Sequence, residues 1–388
     1  MRLLHTSDWH LGRALHGASL LEHQRTFLAW LRDLAVREGV DAVLVAGDVY
    51  DRAVPPTDAV AVLDEALAAF VAAGVPVVIS SGNHDSAVRL GFAAQVQRAA
   101  GVHLRTSVAA LDQPVVLQDD AGPLAVYGLP YLLPDAVMAD LGCERSHAAV
   151  LRAAAVRVRA DAAARGIGRV VVLAHAFVTG AAACDSERDI TVGGIGDAPA
   201  EVFDGLTYAA LGHLHGAQRI SDRVRYSGSP LAFSFSEARH AKSVTLVDID
   251  AGGAVTATTV PAPVPRPLRE VRGSLAELLA LGDLDLAQAW VKAVITDARR
   301  PEAAWERLRQ RWPHLLALEF APHGAALPAA APVRVGAASD PVEICEQFLS
   351  WVDGTRPDAR ATDELRRAVE AVRRAEVESQ DLAWAVPA

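Results

Sequence analysis

Seven side chains able to ligate a metal fall directly after apolar runs. "RLLHTS" leads to Asp8 and His10, "AVLVAG" to Asp48, and "VVIS" to Asn83. "VVVLA" leads to His175, and "TYAALG" to His213 and His215. A buried Asp or His is costly unless something pairs with it. Five separate run ends carrying such groups point to one shared ligand. The set is mixed: three carboxylate or amide oxygens (Asp8, Asp48, Asn83) and four imidazoles (His10, His175, His213, His215), without a thiolate. That mixture suits manganese, iron or zinc and is too rich in nitrogen for a calcium cage. Seven candidates exceed the needs of one ion. They point to two ions roughly 3.5–4 Å apart, with one carboxylate shared. Gly12, Gly47, Gly82 and Gly212 flank the ligands, where tight turns and close backbone approach are needed.

The elements that must hold these groups read as α/β. Near-continuous apolar strands ("RLLHTS", "DAVLVAGD", "VPVVISSGNHD", "LAVYGLP", "RVVVLAHAF", "LTYAALGHLH") are separated by helical patterns over 20–37, 57–73 and 146–165. Such strands argue for sheets covered on both faces. In open α/β folds the C-terminal strand edge is where ligands bind. After residue 215, "RVRYSGSP", "KSVTLVDID" and "AVTATTVPAP" read as consecutive strands without intervening helices, an antiparallel part. "PAPVPRP" (261–267) marks a boundary. We therefore expect a first domain over 1–262 and a small α/β module over 266–322. An Ala/Pro-rich linker over 323–339 and C-terminal helices within 340–388 follow.

Composition excludes some classes. Lys plus Arg is 37 and Asp plus Glu 47, a net charge of −10, which argues against a broad basic surface for nucleic acid. A site whose positive charge comes from metal ions escapes that exclusion. Cys143, Cys184 and Cys345 are far apart and in no metal spacing, as in a reducing compartment. Arg2, His5 and Asp8 interrupt any signal-peptide core, and no run of apolar residues is long enough for a membrane span. The expectation is a cytoplasmic protein.

The motifs "DWH" (8–10), "GDVYD" (47–51), "GNHD" (82–85), "AHAF" (174–177) and "GHLH" (212–215) resemble the calcineurin-like metallophosphoesterases in order and spacing. "SERDITVGG" (186–194) and "YSGSPLAFSFSEARHAKSVTLVDID" (226–250) are similar, more narrowly, to the nuclease subunits of bacterial nuclease–ATPase complexes. The resemblance implies a metallophosphoesterase β-sandwich flanked by helices, with a small α/β cap and C-terminal helices. It implies one ion on Asp8, His10, Asp48 and His215, and a second on Asp48, Asn83, His175 and His213, with Asp48 bridging. His84 then faces the scissile phosphate, supported by Asp85. Asp51 and Arg52 match the family's "GDxxDR" pattern: Asp51 orients a ligand and Arg52 reaches for phosphate. The implied cofactor is two divalent ions, Mn2+ foremost.

The function this implies is a metal-dependent DNA phosphodiesterase. It would be an exonuclease on duplex ends and an endonuclease on single-stranded or hairpin DNA. It would act in repair and recombination as a homodimer within a heterotetramer that includes a coiled-coil ATPase. A phosphomonoesterase or cyclic-nucleotide phosphodiesterase on the same core is the alternative, and an inactive DNA-end-binding scaffold a second. Activity on linear duplex against p-nitrophenyl phosphate separates the first two, and metal content separates the third. Ile344, Cys345, Phe348, Leu349 and Val352 share one face of a C-terminal helix, and Leu365, Val369 and Val372 one face of the next. Short helices need a surface to bury against. The resemblance makes that surface the root of the ATPase coiled coil; the chain's own body is the other candidate.

Overall fold

The computed structural model describes all residues except 183, 188–196, 283, 323–339, 354 and 384–388. Much of "SERDITVGG" and the whole 323–339 linker therefore lie outside the described residues.

Two six-stranded sheets carry the first part of the chain. The first runs, in spatial order, Val255–Pro261, Ser243–Ile249, Arg2–Thr6, Ala42–Ala46, Val77–Ser80, Val102–Arg105. The second runs Gln218–Arg219, Val224–Tyr226, Tyr208–Gly212, Arg169–His175, Gly122–Gly128, Val115–Asp119. Side chains alternate across each strand, and the alternation builds the layers. Leu3, Leu44 and Val78 of the first sheet meet Val126, Val171 and Leu173 of the second in one core. Their neighbours Leu4, Val43, Val45, Val77 and Ile79 face helices Leu21–Glu38 and Thr57–Ala72 through Phe27, Leu31, Val62 and Phe70. On the far side Val170, Val172 and Ala174 pack with Val150, Ala154 and Val158 of helix His147–Ala164. The result is a helix, sheet, sheet, helix sandwich of mixed α/β type, as expected.

Strands Arg2–Thr6, Ala42–Ala46 and Val77–Ser80 run parallel, with Leu4 opposite Val43 and Val45 opposite Ile79. Arg169–His175 and Tyr208–Gly212 run parallel with Gly212 opposite His175. Each sheet thus gathers its C-terminal strand ends along one edge.

The stretch after residue 215 differs from its reading as one antiparallel set. Val224–Tyr226 pairs parallel with Tyr208–Gly212 in the second sheet. Ser243–Ile249 crosses to the first, antiparallel to both Arg2–Thr6 and Val255–Pro261. Strands of this length carry no local mark of the sheet they join; pairing decides it.

A third sheet, Leu268–Gly273, Trp290–Ile295 and Leu315–Phe320, is all parallel. Helices Leu275–Ala280 and Ala304–Arg311 cover it with Leu278 and Leu308, joined by Trp312 just past the second helix. Ser274 and Glu277 close a capping box at the first of these. Leu268 and Trp290 also join Leu15, Leu20, Phe233 and Phe235 in a satellite core.

Residues Met1–Ile295 with Pro301–Phe320 form one compact unit, and Thr296–Arg300 with Ala321–Ala388 a second. Within the second, helices Pro341–Asp353 and Ala359–Ala383 pack together, and Thr362 Oγ1 donates to Glu346 Oε1 at 2.8 Å. Among the described residues no helix is long and apolar enough to cross a membrane. The three cysteines are unpaired.

Candidate metal centre

Three strand ends of the first sheet deliver Asp8, His10, Asp48, Asn83 and His84; two of the second deliver His175, His213 and His215. The edges approach so closely that two glycines are obligatory. A Cβ on Gly212 would lie 1.9 Å from the Ala46 carbonyl oxygen, and one on Gly82 2.1 Å from Asp48 Oδ1. The loops are strained as well: Asp8, His10, Asp48 and His213 hold positive φ angles of 54°, 45°, 50° and 104°. Non-glycine residues keep such angles only where the surroundings impose them, commonly at functional sites.

Asp48 lies at the middle. Its Oδ2 is 3.3 Å from His175 Nε2, 3.6 Å from His10 Nε2 and 3.9 Å from His84 Nε2. His175 Nε2 also lies 2.8 Å from Asn83 Oδ1, and His10 Nε2 3.2 Å from His215 Nε2. The His213 ring stands edge-on to His175, centroids 5.3 Å apart, and its main-chain N–H donates to Asp8 at 3.1 Å. Asp8, His10 and His215 form one group with ligand atoms all within 4.8 Å; so do Asp8, Asp48 and His175, and so do His10, Asp48 and His84. All seven candidates from the sequence therefore converge, with His84 among them. All but Asn83 are buried, none more than 6% exposed.

The donor chemistry fits cations. His175 Nδ1–H is committed to the Ala46 carbonyl at 3.0 Å, so its Nε2 is the atom turned to Asn83 Oδ1 and Asp48 Oδ2. A buried carboxylate and amide oxygen gathered among imidazole nitrogens need a positive charge between them, from a proton or a metal ion. Titration tells the same story. Burial opposes charge on His175, but Asp48 beside it outweighs this and raises the ring to about 9. Burial likewise opposes charge on His215, and hydrogen bonding to Cys184 and Glu237 overcomes it, again to about 9. Burial lifts Asp8 to about 6, against the pull of His175 and His215. Burial also works against Asp48, yet neighbouring His175 holds it well below the carboxylate range. His10 Nδ1 is buried without a hydrogen bond, its nearest carboxylate oxygen being Asp51 Oδ1 at 3.7 Å.

The surrounding residues refine the expected roles. His84 Nδ1 is 2.7 Å from the main-chain carbonyl of Asp51, which is the group that orients it. Asp85 instead accepts from three main-chain N–H groups, Val49 (3.1 Å), Tyr50 (2.9 Å) and Gly82 (2.9 Å), tying two ligand loops together. Asp51 stands between His10 and Arg13, whose guanidinium is 3.6 Å away. Arg52 is 78% exposed.

Several groups were not singled out from the sequence. Gln24, buried on the inner face of its helix, donates to the carbonyls of Trp9 (2.9 Å) and His10 (2.7 Å) and accepts from Gly12. Ser7 donates to Asp8 Oδ2 at 2.5 Å. Ser186, Glu187, Glu237 and Lys242 surround His215. A polar residue inside an apolar helical stripe is the signal that marks Gln24; the other three segments carry no periodicity to read.

Parallel strand ends carrying this His and carboxylate set at the seam of an α/β sandwich define a metallophosphoesterase-type centre. A family model for calcineurin-like phosphoesterases matches residues 1–217. A second, described as the type 5 capsule protein repressor C-terminal domain, matches residues 264–350. The SbcD component of nuclease SbcCD from Rhodobacter capsulatus is 38% identical over 370 residues, covering 86% of this chain and 90% of the relative. The Bacillus subtilis protein of that name is 36% identical over 337 residues, covering 82% and 81%. That of Escherichia coli K12 is 32% identical over 291 residues, covering 72% and 73%. The chain belongs to the SbcD family of calcineurin-like phosphoesterases.

Proposed function

We propose that the chain is a two-metal-ion DNA nuclease, an exonuclease on duplex ends and an endonuclease on single-stranded or hairpin DNA. The observation that carries this reading is the convergence of Asp8, His10, Asp48, Asn83, His175, His213 and His215 at the seam of the two sheets. One ion belongs to Asp8, His10, Asp48 and His215, the other to Asp48, Asn83, His175 and His213, and Mn2+ fits the mixed oxygen and nitrogen donors. Two such cations, when bound, supply the charge that activates water and neutralises the phosphate oxygens. The protein's part is to hold their ligands, exclude bulk water and place His84. With Nδ1 turned to the Asp51 carbonyl, His84 presents Nε2 toward the centre, where a protonated ring donates to the departing oxygen. Asp85 fixes the loops, Asp51 orients His10, and exposed Arg52 meets the phosphate backbone.

The segments divide the work: residues 1–262 cleave, 266–322 cap, 323–339 link, and 340–388 dock on a coiled-coil ATPase of SbcC type. The relatives' name, which makes them one component of SbcCD, supports a partner protein. Three large apolar side chains close in sequence, Val88 (86%), Phe92 (78%) and Val96 (75%), are strongly exposed, which supports a homodimer within a heterotetramer. Cytoplasmic DNA repair and recombination is the setting.

The test compares metal-stripped protein, with and without Mn2+, on end-labelled linear duplex, hairpin DNA, p-nitrophenyl phosphate and cyclic AMP. Mn2+-restored cleavage of the DNA substrates above the small esters is expected. Faster turnover of the small esters would favour the phosphatase reading, and no metal uptake the inactive scaffold.

A further inference from the structure

His175 and His215 reach the centre by unlike routes. His175 is the last residue of its strand, and the ladder with Gly212 fixes its backbone. His215 lies three residues beyond the end of Tyr208–Gly212, outside any ladder. It is nonetheless held at three points. Its N–H donates to Glu187 Oε1 at 2.6 Å, its carbonyl accepts from Lys242 Nζ at 3.0 Å, and its Nδ1 lies 2.7 Å from Ser186 Oγ.

The hydrogens in this chain of contacts can be assigned. Glu237, an acceptor only, takes hydrogen bonds from the Phe233 N–H at 3.0 Å, Ser186 Oγ–H at 2.5 Å and Lys242 Nζ, and its Oε1 also lies 3.4 Å from His215 Nδ1, a longer contact than the 2.7 Å between that nitrogen and Ser186. With its proton given to Glu237, Ser186 Oγ accepts from His215 Nδ1–H. The His215 Nε2 then faces His10 Nε2 across the centre. Lys242 is equally committed: its three contacts are Glu237, Ser229 Oγ at 2.9 Å and the His215 carbonyl. The pair is buried, with side chains 0% (Glu237) and 3% (Lys242) exposed.

A buried ion pair is rarely a gain in stability over apolar side chains of the same size. A fully satisfied one does fix geometry. We propose that the Glu237–Lys242 pair, relayed by Ser186, is the positioning device of His215 and sets the affinity of the cation position that His215 serves, separately from the position served by His175. This rests on the two-ion reading above. The two positions are built differently: one histidine is backed by a carboxylate, at 3.4 Å directly and more closely through a serine, the other by a neutral carbonyl. Groups behind a ligand typically change metal affinity by about 10- to 100-fold.

The experiment titrates Mn2+ into wild type and into Glu237→Gln/Lys242→Met, by calorimetry and by electron paramagnetic resonance. The double substitution removes both charges together, so neither is left buried alone. Wild type is expected to bind two ions and show a coupled spectrum. The variant should keep one tight ion, bind the other about 10- to 100-fold more weakly, and lose the coupled signal at low metal. Adding His175→Ala to the variant should remove the ion it kept. Two ions bound as in wild type would overturn the proposal, and so would equal weakening of both, the mark of a purely structural role. Should the double variant not fold, Ser186→Ala decides: a selective loss at one position supports the relay, an unchanged titration ends it. Wild-type protein that binds fewer than two ions would defeat the two-ion reading itself, a separate result.

Discussion

The metal centre and the two C-terminal helices handle exposure in opposite ways. At the centre Asp8 and His10 are 0% exposed, His215 1% and Asp48 2%. Charge is brought inside and paired there. On the helices Pro341–Asp353 and Ala359–Ala383, apolar Phe348 and Val372 are each 58% exposed. Burying charge costs several kcal/mol per ion and is kept only where it serves a purpose. Apolar side chains left in water on short helices call for a covering surface. The difference is that the centre's candidate ligands find one another within one unit, whereas the helices keep large apolar side chains exposed.

The largest effect should come from the residue that touches most of the centre. Asp48→Ala removes the carboxylate near His10, His84 and His175. We expect cleavage to fall by more than about 10³-fold and Mn2+ stoichiometry to drop below two. Unchanged metal content would break the view of the centre as one assembly around Asp48. His84→Ser should slow cleavage by roughly 10²–10⁴ with both ions retained. Loss of an ion would make His84 a ligand, a role its place beside His10 and Asp48 leaves open to test. Gly82→Ala acts on packing: its Cβ would stand 2.1 Å from Asp48 Oδ1 and 2.4 Å from the Asp48 nitrogen. Such overpacking costs about 1–3 kcal/mol, visible as a lowered midpoint in chemical denaturation and as weaker Mn2+ binding. A stable variant with normal metal affinity would mean the loops have room to yield.

Much of the centre was legible because strand ends advertise themselves. An apolar run that stops at Asp48 or His175 gives both the element and its polar tip. The choice between sheets was not legible. Val224–Tyr226 and Ser243–Ile249 read alike, yet they join different sheets, since cross-strand pairing lies outside any local window. Edge strands Val102–Arg105 and Val115–Asp119 are short and only partly buried, so they carry no long apolar run to mark them. Leu268–Gly273 was hidden behind the proline-rich break. Glu237 and Lys242 come from an irregular stretch around a short turn, Phe235–Glu237, where no period distinguishes a buried charge from a solvated one. Only folding shows that they back His215.

The smallest effect on the isolated chain should come from the helices. Phe348, on helix Pro341–Asp353, is 58% exposed, so a charge there stays largely in water. Phe348→Asp should therefore leave the thermal midpoint and the Mn2+-dependent cleavage of a short single strand close to wild type. Against a partner the same change is severe, because a buried aromatic anchor commonly contributes about 2 kcal/mol or more to an interface. That corresponds to about 30-fold or more in the dissociation constant. Size-exclusion chromatography with an SbcC-type ATPase should show the variant eluting alone at concentrations where wild type co-elutes, and ATP-stimulated processing of long duplex ends should vanish with it. Val372→Asp, on the second helix, should repeat the result if both helices face one surface. Co-elution that survives both substitutions would make the exposed side chains incidental. A variant that unfolds by itself would show that the helices complete their own unit, and the contrast with the metal centre would then dissolve.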